Sequence, residues 1–186
     1  MRFASSHKIP SLRAHNTRMA RRLFALIRSL IVAPLFVSLW LYFLPRWFAG
    51  RHVFEDPRPL GWIIVAVGAL IGVPCVLAFA WRGLGTPAPF DPPRRLVVSG
   101  PYRWVRNPMY VGMGIAMLGE ALVFPHARRV LLSEMLIAAL LSSIVIVIFE
   151  EPVLRRTFGA DYDEYCRNVR RWIPRLTPWY APRHLD

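Results

Sequence analysis

Residues 100–112 read GPYRWVRNPMYVG, and residues 150–152 read EEP. The first stretch comes just before a long apolar run, and the second comes just after the next apolar run. If these two runs form antiparallel membrane-spanning helices, both stretches lie at the same end of the bundle. Ionisable and aromatic side chains gathered where a bilayer ends are costly to keep there, so the pattern indicates a site.

Four apolar runs predict an all-α fold that crosses a membrane. They cover residues 23–44, 60–80, 110–124 and 130–149. A spanning helix needs about 20 apolar residues, and the first, second and fourth runs meet that length. The third run is short, so three forms stay open: a tilted span, a helix extended backward through Asn107, or a re-entrant segment. We therefore predict a polytopic membrane helix bundle of about four spans.

The charge distribution predicts the orientation of this bundle. The net charge is +13, and the hydrophobic fraction of 55% is high for a soluble domain. Eighteen Arg and Lys residues fall in residues 1–22, 81–109 and 150–186, whereas the two opposite loops hold five. Because basic residues concentrate in cytoplasmic segments, we expect an integral protein of the cytoplasmic (inner) membrane with both termini in the cytoplasm.

Composition also restricts the partners. Basic loops between apolar runs match anionic membrane lipids better than nucleic acid, because the sequence has no basic recognition helix or zinc-finger pattern. Neither Cys75 nor Cys166 has a metal-ligand neighbour at a useful spacing, so we expect no metal and no disulfide between them. We divide the chain into a basic cytoplasmic tail, residues 1–22, and one membrane-embedded domain, residues 23–186.

Two carboxylates interrupt the apolar runs, Glu120 in the third and Glu134 in the fourth. Charged side chains inside a bilayer are rare and need partners. We expect these two to pair with Arg128 or Arg129 in the link between the runs. A role in an acceptor site is the open alternative.

Beyond Pro152 the sequence predicts a C-terminal cap of amphipathic helices on the cytoplasmic side. Apolar residues recur at steps of three and four, which places them on one helical face: Leu154, Phe158, Tyr162, Tyr165, Val169 and Trp172. Gly159 and Ala160 predict a break between two shorter helices. The cap either lies in the membrane interface as a lid or packs against the bundle.

The acidic pair and the aromatic stretch carry complementary chemistry. On a helix, Glu150 and Glu151 point about 100° apart, and Pro152 predicts that one helix ends and another begins there. Two carboxylates at such a junction favour a cationic group such as an ammonium. Arg106 can pair with a carboxylate. Aromatic faces that suit a purine or a sulfonium cation are offered by Tyr102, Trp104 and Tyr110. These groups are the parts of S-adenosylmethionine, although Arg and aromatic residues also serve as plain membrane-boundary anchors.

Four motifs follow one another along the chain. They are LVVSGPY at residues 96–102, RNPMYVG at 106–112, the Glu150-Glu151 pair, and FGADYDEY at 158–165. With these motifs in this order, the sequence resembles the isoprenylcysteine carboxyl methyltransferase and phospholipid methyltransferase family over about residues 60–176. The resemblance implies an integral membrane enzyme that binds S-adenosylmethionine in a cytosolic pocket and takes its methyl acceptor from the lipid side.

The resemblance also implies which residues contact the cofactor. Carried over by position, they are Leu96, Val97, Tyr102, Arg106, Asn107, Pro108, Met109, Tyr110, Glu150 and Glu151. Asn107 departs from the family, since many members have His there, and an amide cannot titrate near neutral pH. Members that methylate prenylcysteine carry an Arg shortly before the acidic pair, whereas residues 144–149 contain none, which weakens that substrate assignment.

We therefore predict transfer of a methyl group from S-adenosylmethionine to a lipophilic or membrane-partitioning acceptor at the cytoplasmic membrane face. No catalytic residue is assigned. The alternative is a non-catalytic membrane protein that keeps the fold and binds a lipid or a partner. A nicotinamide-dependent reductase is disfavoured because the sequence has no glycine-rich dinucleotide fingerprint.

Overall fold

A computed structural model of the chain describes residues 34–50, 54–78 and 95–182, together with residues 23, 24, 27 and 30–32. The predicted basic tail, residues 1–22, lies outside the described residues. Within the described ranges all regular structure is helical and there is no strand, so the all-α prediction is confirmed. Apolar helices long enough to cross a bilayer confirm the predicted membrane bundle.

The helices follow one another along the chain in an antiparallel arrangement. We number them α1 (Leu30–Ala49), α2 (Gly61–Ala78), α3 (Pro108–Val123), α4 (Arg128–Val145), α5 (Glu151–Phe158) and α6 (Ala160–Asn168). A π-helical turn, Ile146–Glu150, joins α4 to α5 without a break. After α6 the chain runs without helix through residues 169–182, which we name the tail segment.

Helix length separates α3 from the other membrane segments. The continuous apolar helices Leu30–Ala49, Gly61–Ala78 and Pro125–Phe158 are each long enough to span. Helix α3 has 16 residues and begins at Pro108, directly after Asn107. At a rise of 1.5 Å per residue it is about 24 Å long, against a hydrocarbon thickness of about 30 Å. Because α3 begins at Pro108, the predicted extension backward through Asn107 is wrong, and the tilted span and the re-entrant segment stay predictions.

Small residues hold α2 and α3 in close contact. Gly61 and Gly68 on α2 face Gly112 and Gly119 on α3, and we name these four the glycine seam. A Cβ atom on Gly68 would lie 2.5 Å from the carbonyl oxygen of Gly112, and one on Gly119 would lie 2.6 Å from the amide nitrogen of Val65. Membrane helices associate through such small residues because the backbones can then approach and pack.

A short link turns the chain from α3 into α4. Apolar side chains from the link and both helices form a buried cluster of Ala121, Val123, Phe124, Ala127 and Leu131. This cluster sits at the end of the bundle opposite to the GPYRWVRNPMYVG stretch and fixes α3 against α4. Two partly buried residues also pack on this cluster: Phe54, which follows α1, and Val65, which belongs to α2.

The two carboxylates inside these helices do not pair with arginine. Glu120 and Glu134 are 7% and 5% exposed and interact electrostatically with each other. Among the described residues, no hydrogen-bond partner reaches Oε2 of Glu120 or either carboxyl oxygen of Glu134. Arg128 instead donates from Nε to the carbonyl oxygen of Ala121 at 3.3 Å. The expected ion pair is wrong because the guanidinium group of Arg128 caps the end of α3.

The predicted helix junction at Pro152 is confirmed in part, because α5 begins at Glu151 but follows the π-helical turn without a break. The helix passes through Pro152, and the π-helical turn lies just ahead of it, with the Glu151 amide donating to the carbonyl oxygen of Ile146. A proline ring crowds the preceding turn and has no N–H, and a wider turn accommodates both effects. In α1 the π-helical turn Leu39–Phe43 likewise lies just ahead of Pro45.

The C-terminal cap follows the predicted stripe up to Val169. Gly159 has φ +53° and separates α5 from α6, which confirms the predicted break. The stripe packs into a buried cluster around Val98 that contains Leu154, Phe158, Tyr162, Tyr165 and Val169. Helix α6 then ends at Asn168, and Val169 is extended, so the predicted helical position of Trp172 is wrong. The backbone leaves the helix there to bond with the turn that precedes α3.

Candidate functional site

The stretches 100–112 and 150–152 meet at one end of the bundle. Helix α3 begins there at Pro108, the π-helical turn ends there at Glu150, and the tail segment crosses between them. We call this the site end. The sequence-based prediction that both stretches lie at the same end is confirmed by direct contacts between Arg106 and Glu151 and between Tyr110 and Glu150.

Glu151 is enclosed by two arginines. Arg171 makes a two-pronged contact, with Nε at 2.7 Å from Oε1 and Nη2 at 2.8 Å from Oε2 of Glu151. Arg106 adds a third donor, with Nη1 at 3.2 Å from Oε1. The hydrogen bond to Glu151 raises the pKa of the Arg171 guanidinium. Charge-assisted bonds of this planar kind fix the relative orientation of the two groups. Glu151 therefore connects the tail segment and the stretch before α3 to the continuous helix Pro125–Phe158.

Glu150 has a different environment from its neighbour. Its Oε1 accepts a hydrogen bond of 2.7 Å from the hydroxyl group of Tyr110. The side chain is partly buried, and no described Arg or Lys forms an ion pair with it. The ring of Trp172, from the tail segment, meets the ring of Tyr110 edge-on at a centroid distance of 6.4 Å. Glu150 therefore places a carboxyl group beside aromatic side chains, with its orientation set by Tyr110.

Asn107 and Arg106 secure the tail segment. The side-chain amide of Asn107 donates to the carbonyl oxygen of Arg171 at 3.3 Å, and the backbone amide of Arg106 donates to the carbonyl oxygen of Arg170 at 2.9 Å. The guanidinium group of Arg106 also donates from Nη1 to Sγ of Cys166. Both Cys166 and Cys75 are free, in agreement with the prediction of no disulfide.

Other predicted site residues lie beneath the site end. Val97 and Tyr102 are 5% and 6% exposed and pack with Cys75 and Met109 in one buried cluster. Pro108 is also fully buried. Their contacts are those of a packed core, which positions the stretch before α3.

Leu96 departs from the predicted group. It packs in the cluster of the C-terminal cap, beside Tyr162 and Tyr165. Tyr165 in turn donates from its hydroxyl group to the carbonyl oxygen of Tyr102 at 2.8 Å, and burial raises the pKa of Tyr165 well above its usual range. The cap therefore supports the site end from outside. The predicted residues that border the site end itself are Arg106, Asn107, Tyr110, Glu150 and Glu151.

Two residues at the site end were missed from the sequence. Arg171 binds Glu151, and Trp172 packs on Tyr110, yet both belong to the tail segment. The spacing of Trp172 fits the helical stripe, so the pattern predicts that it lies on that face of a helix. The available signal was the run Arg170-Arg171-Trp172 just before a proline, since proline at position 174 argues against a continuing helix.

Comparison with known proteins supplies a family. The sequence profile described as phospholipid methyltransferase matches residues 57–161, which is more than half of the 186 residues. The matched range includes α2, α3, α4 and the acidic pair at the site end. No curated protein and no solved structure matches the chain. The helices that can span a bilayer, the arrangement of the site end and the profile match agree, and the chain belongs to the phospholipid methyltransferase family of integral membrane proteins.

Proposed function

We propose that the protein transfers a methyl group from S-adenosylmethionine to a lipophilic acceptor, and that the acceptor is a phospholipid. The family points to methyl transfer and to a lipid substrate. The observation that carries the proposal is Glu150, a partly buried carboxylate at the site end, bound by Tyr110 and without an ion-pair partner among the described residues. A carboxyl group in this position can bind a cation.

The residues at the site end fit S-adenosylmethionine. A carboxylate beside aromatic rings suits an ammonium or a sulfonium, and Glu150 with Tyr110 and Trp172 offers that combination. When bound, S-adenosylmethionine supplies a methyl group already activated on sulfur. We assign the cation contact to Glu150 and not to Glu151, because two arginines already neutralise Glu151.

The chain's contribution is positioning and exclusion of water. Tyr110 orients the carboxylate of Glu150, while Arg106 and Arg171 hold the tail segment across the site end through Glu151. Preorganised contacts of this kind lower the entropic part of the barrier. The side chain of Asn107 bonds to the tail backbone and cannot titrate near neutral pH, so no proton transfer is assigned to it.

We place the site end on the cytoplasmic side of the membrane. The basic segments 1–22, 81–109 and 150–186 adjoin this end in sequence, and basic segments stay in the cytoplasm. The division into a basic tail, residues 1–22, and a single domain, residues 23–186, belongs to the same proposal. A lipid acceptor then reaches the site from the cytoplasmic leaflet.

Calorimetric titration of the purified protein with S-adenosylmethionine, in detergent with added lipid, tests the cofactor assignment. We expect saturable binding by the wild type and about 10- to 100-fold weaker binding by Glu150→Gln, since a charge-assisted contact contributes about 1.5–3 kcal/mol. Glu134→Gln is the matched control, because residue 134 lies 16 residues before Glu150 on the same continuous helix, about 24 Å away.

Two results of this titration would contradict the proposal. If the folded wild-type protein does not bind S-adenosylmethionine in the presence of lipid, the methyltransferase assignment fails and a non-catalytic lipid- or partner-binding role takes its place. If Glu150→Gln binds as the wild type does, the role given to Glu150 is wrong.

A further inference from the structure

The tail segment is an ordered loop with an unusual apolar exposure. Three backbone hydrogen bonds of 2.9 Å attach it to the stretch before α3. The amides of Arg106, Arg175 and Trp179 donate to the carbonyl oxygens of Arg170, Trp104 and Arg103, respectively. The guanidinium group of Arg103 also lies 4.8 Å from the ring centroid of Tyr180. The backbone is therefore fixed where Ile173 and Leu176 project from it. These two residues are 61% and 98% exposed, and we name them the apolar tip.

Neighbouring contacts set the level of the apolar tip relative to the membrane helices. Trp172 packs on Tyr110, which belongs to the first turn of α3, and Arg171 binds Glu151 at the start of α5. Ile173 directly follows these two anchors. The tip therefore lies at the height where the apolar helices end, and this is the height of the lipid headgroups.

Energetics and charge both favour a lipid covering for the tip. Removing a Leu or Ile side chain from water is favourable, and a fixed loop cannot fold these two side chains back into the protein. Two exposed arginines precede the tip in the sequence, at positions 167 and 170. Basic residues near a bilayer surface attract anionic lipids. Apolar residues beside basic ones are the pattern of an interfacial anchor.

We propose that the apolar tip inserts into the anionic phospholipid surface next to the site end. The tip anchors the tail segment, so that Arg171 and Trp172 are held over Glu151 and Tyr110 while the lipid leaflet stays in contact with the site. The proposal depends on the membrane placement of the site end and not on methyl transfer, and its test contains neither cofactor nor acceptor.

Depth-dependent fluorescence quenching tests the insertion. Leu176→Cys and Ile173→Cys variants carry an environment-sensitive fluorophore on the new thiol and are reconstituted in vesicles with nitroxide-labelled lipids. Thr157→Cys is the matched control, because Thr157 is exposed on α5, seven residues beyond Glu150 on the continuous helix, about 10 Å further out. Wild-type protein treated in the same way gives the contribution of Cys75 and Cys166.

We expect blue-shifted emission and strong lipid quenching at positions 173 and 176, with neither at position 157. Both effects at the tip should increase when phosphatidylglycerol replaces half of the phosphatidylcholine. Equal, weak quenching at positions 157, 173 and 176 would overturn the insertion. Strong quenching at the tip that is unchanged by phosphatidylglycerol would overturn the role given to anionic lipid.

Discussion

At the scale of single residues, the adjacent carboxylates Glu150 and Glu151 differ in their partners. Glu151 accepts three N–H donors from Arg106 and Arg171, whereas Glu150 accepts one hydroxyl group from Tyr110. An enclosed, neutralised carboxylate stabilises its surroundings and has little affinity left for a ligand. Glu150, with one neutral partner, has carboxyl acceptor sites left for a ligand. The angle of about 100° between adjacent helical side chains predicted different surroundings for the two carboxylates but not which partners each one has.

Arg171 should not tolerate replacement by Lys. A lysine carries the charge but cannot make the two parallel bonds to Glu151, so we expect Arg171→Lys to lower the unfolding free energy by about 1–2 kcal/mol. The measurement is the thermal unfolding midpoint in detergent. Arg167→Lys, at an exposed position on α6, is the control and should leave the midpoint unchanged. Equal midpoints for both variants would show that the two-pronged contact with Glu151 adds no stability.

The same substitution should act oppositely at two buried glutamates. Glu134 has no described hydrogen-bond partner for its carboxyl group, whereas Glu151 has two arginines. We expect Glu134→Gln to keep or raise the thermal midpoint, because an amide has no charged form to bury and the carboxyl group has no described hydrogen-bond partner to lose. Glu151→Gln should lower the midpoint by several degrees, since each kcal/mol is about 2–4 °C in a chain of this size. A fall for Glu134→Gln as large as that for Glu151→Gln would contradict this account.

At the scale of helices, close packing between α2 and α3 positions the stretch before α3. The glycine seam leaves no room for a side chain at Gly68, where a Cβ would meet two backbone atoms of α3 within 2.6 Å. We expect Gly68→Ala to force the helices apart and to destabilise the protein by about 1–3 kcal/mol.

Gly72 provides the control for the seam on the same helix. A Cβ on Gly72 would meet nothing within 4 Å, so Gly72→Ala should be neutral or stabilising by up to about 1 kcal/mol. Thermal midpoints of both variants in the same detergent make the comparison. If Gly72→Ala destabilises as much as Gly68→Ala, helix packing at the seam is not the cause.

The sequence predicted the helices better than their ends. Hydropathy and length identify the spans, and Gly159 marks the break between α5 and α6 because a positive φ favours glycine. The continuation through Pro152 was missed because proline usually ends a helix, and the π-helical turn that accommodates it depends on local hydrogen bonding. Hydropathy does not report this backbone hydrogen bonding.

At the scale of the whole molecule, we predict that the chain crosses the membrane four times and returns to its starting side. Helix α3 and helix α4 form a hairpin, and α1 and α2 precede them. We expect a reporter that works only in the cytoplasm to be active when it is fused to either terminus. The same reporter should be inactive when it is inserted between α1 and α2, at position 56. Termini found on opposite sides would contradict both the four passes and the cytoplasmic site end.

Long-range contacts explain why the sequence revealed only part of the site. The predicted residues that border the site end lie in two sequence motifs, 106–110 and 150–151. Arg171 and Trp172 reach the same place because the tail segment folds back onto the stretch before α3. Neither spacing nor hydropathy reports such a return of the chain.

Transfer of a labelled methyl group is the most direct test of the central claim. Wild-type protein in vesicles of lipid extract receives S-adenosylmethionine with a radioactive methyl group, and the label in separated phospholipids is counted over time. We predict that label accumulates in phospholipid with the wild type, and that Glu150→Gln lowers the rate at least about tenfold, which is 1.4 kcal/mol in the barrier. Folded wild-type protein that leaves every lipid fraction unlabelled would contradict the account.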